Sequence, residues 1–187
     1  MVHLDEDWIG QEQLNVLAAL AQSTGYLTGE AIEIGTWQGR SAMPLANIIA
    51  PSILHVVDHW KGDSESPRAI EQGLAIPAQC LERDNYAIFM ANVAEATEGN
   101  LKVWKMDYRD FLARWDEPVR FLHLDDGHLA DDVEAQLAGL LPHAVPGAIF
   151  AGDDWDWPTV KEGILRVFPE DKINTGAGKL WWAVIGQ

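Results

Sequence analysis

At 187 residues and 48% apolar content, the chain is long enough for one substantial core and too short for two comfortable domains. Its formal charge of −16 argues against any mechanism that wraps a phosphate backbone, so no nucleic-acid partner is expected, whereas a site that attracts a small cation suits it. No apolar run of about 18 residues occurs, the start Met1–Asp7 is acidic where a secretory signal is basic, and Cys80 stands alone, so we expect a cytoplasmic protein with no membrane partner and no disulfide.

In chain order, Leu14, Leu17, Ala18 and Ala21 recur at helical spacing and predict an amphipathic helix from Gln11 to Gln22, ending near Thr24-Gly25. A β-type run, Ala31–Gly35, then opens onto a glycine loop, Glu33-Ile34-Gly35-Thr36-Trp37-Gln38-Gly39-Arg40-Ser41. Further short apolar runs lie at Leu54–Asp58, Leu101–Trp104, Phe121–Asp125 and Ala148–Ala151, separated by segments of helical period. In Leu129–Leu141, Leu129, Val133, Leu137 and Leu140 share one face, while Asp131 and Asp132 fall in the first turn, where the helix dipole favours anions. This alternation predicts a parallel sheet with helices on both faces. The last stretch departs from it: Ile173–Lys179 is turn-rich and leads directly into Leu180–Ile185. No helix fits between, so the sheet is expected to finish on an antiparallel strand. The expected fold class is α/β: a single Rossmann-like, doubly wound domain, mostly parallel, with a leading helical segment in residues 1–28 and the core in residues 29–187.

Ligands of such sheets bind beyond the carboxyl ends of the strands. Those ends are acidic here: Asp58 closes the second strand, Asp107 follows the third, Asp125-Asp126 the fourth and Asp153-Asp154 the fifth. Any one of them alone could simply cap the next helix. The glycine loop is not a dinucleotide fingerprint, because Trp37 sits where a second glycine would let backbone approach a pyrophosphate. A nucleoside lacking pyrophosphate fits better, and Asp58, 19 positions after Gly39, is placed to reach ribose hydroxyls. Asp125, Asp153 and Asp154 form an oxygen-only set whose mutual repulsion calls for a cation, and hard oxygen donors favour Mg²⁺, Mn²⁺ or Ca²⁺ over zinc. His128, three residues after Asp125, is placed to take a proton from a hydroxyl bound there. The other histidines read as structural from the pattern alone.

Together, Glu33–Ser41, Asp58-His59-Trp60, Phe121–His128 and Pro146–Asp154 resemble class I S-adenosylmethionine-dependent methyltransferases. The nearest group looks like the macrocin and mycinamicin sugar O-methyltransferases, with cephalosporin-hydroxylase-like sequences and catechol O-methyltransferase more distant. The resemblance spans roughly residues 30–185. It departs from the family pattern at Asp126-Gly127, where Gly-Asp is commoner, and at Ala148, which replaces the second glycine of a turn. The resemblance implies that Asp125, Asp153 and Asp154 bind Mg²⁺ or Mn²⁺ and that His128 deprotonates the acceptor. It also implies that Glu33, Gly35 and Ser41 surround the methionine end of the cofactor, with Thr36, Trp37 and Gly39 completing the loop. Asp58 with His59 would hold the ribose, Asp107 and Tyr108 would border the adenine, and Asp125 would face the cofactor as well as the metal.

The implied function is methyl transfer to a hydroxyl of a small molecule, a sugar diol or a catechol-like acceptor whose adjacent hydroxyls can chelate the metal. Trp155 and Trp157, beside the acidic pair, are candidates to stack on such a ring or to belong to the core. An NAD-dependent oxidoreductase lacks its middle glycine here, a non-catalytic module of the same fold would not need the metal and base positions, and a metal-dependent hydrolase would want more basic phosphate loops. The leading segment is short for a lid, which leaves the Gly62–Ala78 loop or a neighbouring subunit of a homo-oligomer to complete the pocket.

Overall fold

A computed structural model describes residues 2, 4, 8–62, 71 and 78–186. Helix α1 (Gln11–Ser23) leads, followed by β1 (Glu30–Ile34), α2 (Ala42–Ile49) and β2 (Leu54–Asp58). After a one-turn helix α3 (Ala78–Leu81) come α4 (Asn85–Ala96), β3 (Leu101–Lys105), α5 (Tyr108–Leu112) and β4 (Val119–Leu124). The chain ends through α6 (Ala130–Leu140), β5 (Ala144–Gly152), α7 (Pro158–Val167), β6 (Ile173–Thr175) and β7 (Trp181–Val184).

The strands form one sheet in the order β3-β2-β1-β4-β5-β7-β6. Strands β1 to β5 pair in parallel, and β7 runs antiparallel between β5 and β6. This is the expected α/β architecture. Period-two alternation sorts the core into two layers. Ile32, Leu122 and Phe150 pack with Val133, Leu137 and Ile164 of α6 and α7 on one face. Ala31, Phe121 and Ile149 pack with Leu17, Leu45 and Phe89 of α1, α2 and α4 on the other. Each fully buried large side chain, such as Phe121 or Phe150, contributes on the order of 2 kcal/mol relative to exposure.

Two boundaries differ from expectation for local reasons. Strand β5 begins at Ala144 rather than Ala148, because the β4 pairing slips between Val119 and Phe121 while Gly147 takes a positive φ of 88°, so a short outer rung precedes the regular ladder. Ile173–Thr175, which reads as turn, is a strand at the sheet edge, its exposed Asn174 and Thr175 giving it a turn-like composition. Chain order reverses at β1: its crossover leads outward to β2, while β4 adds on its other side. That switch point opens a crevice at the carboxyl ends of β1 and β4. Among the described residues no helix is long and apolar enough to cross a membrane.

Candidate active site

The glycine loop leaves β1 under a strict steric demand. Gly35 has φ of +86°, and a Cβ there would lie 2.0 Å from the backbone oxygen of Asp125, so only glycine lets the ends of β1 and β4 touch. Trp37 follows with φ of +45°. Its amide donates to Asp58 Oδ2 at 2.8 Å, the Trp60 amide donates to Asp58 Oδ1 at 2.5 Å, and the Trp60 indole donates to the Trp37 carbonyl at 2.6 Å. Asp58 therefore pins the glycine loop to the loop after β2. Burial pushes its carboxyl up, with the amides of Trp60 and Trp37 pulling the other way.

Two hollows lie at these strand ends. One, of about 40 Å³, is bordered by Trp8, Gly35, Thr36, Trp37, Ser41 and Asp125 at the amino end of α2, and the Thr36 hydroxyl is buried without a hydrogen-bond partner among the described residues. The other, a cleft of about 640 Å³, is bordered by His59, Gly62, Asp107, Tyr108, Asp126 and Gly127. Asp107 also caps α5, accepting from the Arg109 amide at 2.8 Å, and the Tyr108 hydroxyl donates to Asp132 at 2.7 Å. Residues 63–70 and 72–77, most of the loop expected to help close the pocket, lie outside the described residues.

Glu33 is placed beneath the loop rather than along its hollow. It is wholly buried, with Oε1 2.9 Å from Nδ1 of His123, its partner in the β1–β4 ladder. Burial disfavours the charged imidazole of His123, yet the hydrogen bond and charge of Glu33 outweigh it and raise its pKa.

The register Leu124↔Gly152 sets the acidic strand ends abreast. Asp154 adopts φ of +60°, a left-handed conformation that aspartate tolerates better than most residues and that clusters at functional sites. Ligand atoms of Asp125, His128 and Asp154 lie within 4.8 Å of one another. His128 Nε2 is 3.0 Å from Asp154 Oδ2, and the Trp157 ring lies against the imidazole with centroids 4.8 Å apart. Lys179, from the β6–β7 hairpin, binds Asp154 Oδ1 and stands 3.7 Å from Asp153 Oδ2. Asp153 also accepts from Gln13 Nε2 of α1 at 2.9 Å. Of the three expected metal carboxylates, Asp125 and Asp154 thus gather with His128, while Asp153 turns toward Gln13 and Lys179.

The charge balance is uneven. Burial, then the charge of Asp153, pushes the Asp125 carboxyl up to about 7, the nearby imidazoles offsetting only part. Burial also raises Asp153. It works against ionised Asp154 too, but hydrogen bonds with His128 and Lys179 hold that carboxyl below its usual range. A carboxylate held only partly ionised near neutrality, by burial first and by a like charge second, is a feature that clusters at functional sites. Gln13, His123 and Lys179 were not legible as site residues; Lys179 alone left a trace, as a basic residue in an otherwise glycine-rich turn.

Residues 32–155 match the family model described as a methyltransferase domain. The chain belongs to this family. Solved structures share the methyltransferase fold: a calicheamicin methyltransferase aligns with TM-score 0.69 at 18% identity, over 93% of this chain and 79% of that one. The O-methyltransferase NovP aligns with TM-score 0.70 at 16% identity, over 94% and 80%. TomG of Streptomyces achromogenes, an O-methyltransferase solved in complex with SAM, aligns with TM-score 0.62 at 19% identity, over 98% and 84%. No curated protein matches the chain. In this methyltransferase domain the two hollows and the acidic cluster all lie at the carboxyl ends of the parallel strands, and Asp125 borders both the 40 Å³ hollow and the small cavity holding His128 and Asp154.

Proposed function

We propose that the protein is an S-adenosylmethionine-dependent O-methyltransferase that acts on a hydroxyl of a small molecule, a sugar diol or catechol-like compound, with help from a divalent cation. The observation that carries this reading is the double position of Asp125, which borders the glycine-loop hollow on one side and the His128–Asp154 cluster on the other. Methyl donor and hydroxyl activation would then meet at one residue.

The cofactor's adenosine would occupy the 640 Å³ cleft beside His59, Asp107 and Tyr108, with its methionine end toward Ser41 and the amino terminus of α2, where backbone N–H groups favour a carboxylate. Asp58 would orient the glycine loop through the amides of Trp37, Trp60 and Thr36, and the capacity its carboxylate has left would reach the ribose.

The donor set fits a hard divalent ion, because Asp125 and Asp154 offer converging oxygens, and a cation there would offset the burial and the Asp153 charge that raise the Asp125 carboxyl. Asp125 and Asp154, with Asp153 beside them, would hold Mg²⁺ or Mn²⁺. When bound, that ion supplies Lewis-acid polarisation of the acceptor hydroxyl. We assign His128 to the proton rather than to the ion, because a nitrogen lone pair spent on a metal cannot take one. His128 removes the hydroxyl proton, and the imidazolium so formed is stabilised by Asp154 Oδ2 at 3.0 Å. Bound S-adenosylmethionine would supply a sulfonium-activated methyl group to the acceptor oxygen, with the carbon–sulfur electron pair passing to sulfur to give S-adenosylhomocysteine. Alignment supplies most of the remaining rate, since the sulfonium is already a good leaving group.

The test is transfer of a labelled methyl group from S-adenosylmethionine to a panel of sugar diols and catechols in the presence of Mg²⁺. An O-methyl ether from at least one class is expected, and label appearing only on nitrogen, carbon or sulfur acceptors would overturn the O-transfer reading. With an active acceptor in hand, Trp157→Ala should raise its KM more than it alters cofactor affinity, because this ring lies against His128. Trp155→Ala should do less, its ring being covered by the Lys161 ammonium 4.8 Å from the centroid. Equal effects of both on KM would remove Trp157 from the acceptor site.

A further inference from the structure

The aspartate cluster already holds a cation of its own. Lys179 reaches it from the hairpin between β6 and β7, binding Asp154 Oδ1 and facing Asp153 Oδ2 at 3.7 Å. Its backbone position is fixed by the fold. The Lys179 carbonyl accepts from the amide of Trp155, the residue after Asp154, at 3.0 Å. At the neighbouring position, Gly178 has φ of +60° and packs so closely on Gln13 that a Cβ would lie 2.5 Å from that side chain. Gln13 in turn donates to Asp153. Helix α1, the hairpin and the end of β5 therefore converge on the same two carboxylates, with the ammonium between them.

We propose that Lys179 is a built-in counter-cation: it holds Asp153 and Asp154 together when no divalent ion is present, and it must withdraw from Asp154 for such an ion to be held there, so that this residue sets the protein's metal affinity. The inference rests on the metal site proposed above and adds a residue that tunes it.

Both oxygens of Asp154 are engaged, Oδ1 by Lys179 and Oδ2 by His128 at 3.0 Å. A divalent ion coordinating Asp154 at about 2.1 Å would lie within a few ångströms of the ammonium, and in a site this buried the repulsion between the two cations is weakly screened. A lysine suits the exchange. Its point charge rides on a flexible four-carbon stem, its side chain is 31% exposed, and the Trp157 ring, 5.7 Å from Nζ, offers a second surface for the cation. Three carboxylates left with neither lysine nor metal would repel one another, so the ammonium also protects the empty site.

The experiment is Mn²⁺ titration of the chelator-treated, desalted full chain by calorimetry, comparing the wild type with Lys179→Met, Lys179→Gln and Lys179→Arg, together with melting temperatures in EDTA and in Mn²⁺. Removing the charge in the Met and Gln variants should tighten Mn²⁺ binding by about tenfold or more, while Arg should stay near the wild type. In EDTA the two neutral variants should melt below the wild type, and Mn²⁺ should raise their melting temperatures by more. A wild type that binds no Mn²⁺ while the neutral variants do would support the role of Lys179 in its strongest form. Equal affinity in all four proteins would overturn that role and leave the metal site standing. No binding by any of them would overturn the metal site and this inference together. Should the Met variant fold only with metal present, the Gln variant, which keeps a hydrogen-bond donor for Asp154, carries the same comparison.

Discussion

His128→Ala should lower kcat by about 10²–10⁴-fold, the usual contribution of a positioned base, while leaving the fold, S-adenosylmethionine affinity and Mn²⁺ binding close to those of the wild type. The expectation follows from placement. His128 sits just past β4, partly exposed, with Nε2 on Asp154 and its ring against Trp157, outside both core layers. The substitution also separates two roles that geometry alone brings close, because the His128 nitrogen lies in the same 4.8 Å group as the Asp125 and Asp154 oxygens. A base lost from beside the ion costs turnover and spares metal affinity. A ligand lost from the ion costs both. Loss of Mn²⁺ binding in the variant, measured by calorimetry alongside its kcat, would therefore make His128 a ligand.

With the proposed metal site, chelation should have the second large effect. Chelation by EDTA should abolish turnover, and Mg²⁺ or Mn²⁺ should restore it, because Lewis-acid activation of the hydroxyl disappears and a sugar hydroxyl is a poor nucleophile near neutral pH. S-adenosylmethionine affinity should change little, since the glycine loop, Asp58 and the cleft beside Tyr108 do not need the ion for their geometry. The two readouts together locate the ion at the acceptor. Turnover that persists in EDTA at its full rate would show that His128 and alignment suffice without a metal.

Much of this architecture was legible in the chain. Short apolar runs alternating with helical periods dictated the parallel core, because a strand buried on both faces has to be apolar at successive positions. The turn over Gly176-Ala177-Gly178 left no room for a crossover helix and so announced β7 as antiparallel, which the β5–β7 register bears out. Aspartates at the ends of β4 and β5 could be placed together because those strands are neighbours. What stayed hidden is what contact across the fold decides. Gln13 meets Asp153 over a separation of 140 residues and Glu33 meets His123 over 90, and no local pattern encodes either pairing. Lys179 was hidden differently: a lysine in a turn ordinarily faces water, and only the docking of the hairpin on the residue after Asp154 directs this one inward. For the same reason the sequence grouped Asp153 with Asp125 and Asp154 as equals, whereas α1 and the hairpin draw its carboxylate partly away.

Calorimetric titration of the full chain decides whether the crevice at the end of β1 binds S-adenosylmethionine. S-adenosylmethionine and S-adenosylhomocysteine should each bind once per chain, with or without EDTA, and NAD should give no heat. Asp58→Ala should weaken both adenosyl ligands by about 1–3 kcal/mol, roughly fivefold to 150-fold, as the ribose loses its acceptor and the glycine loop its tether. Saturable NAD binding with no response to either adenosyl compound would show that the crevice is a dinucleotide site and not an adenosyl-sulfonium one.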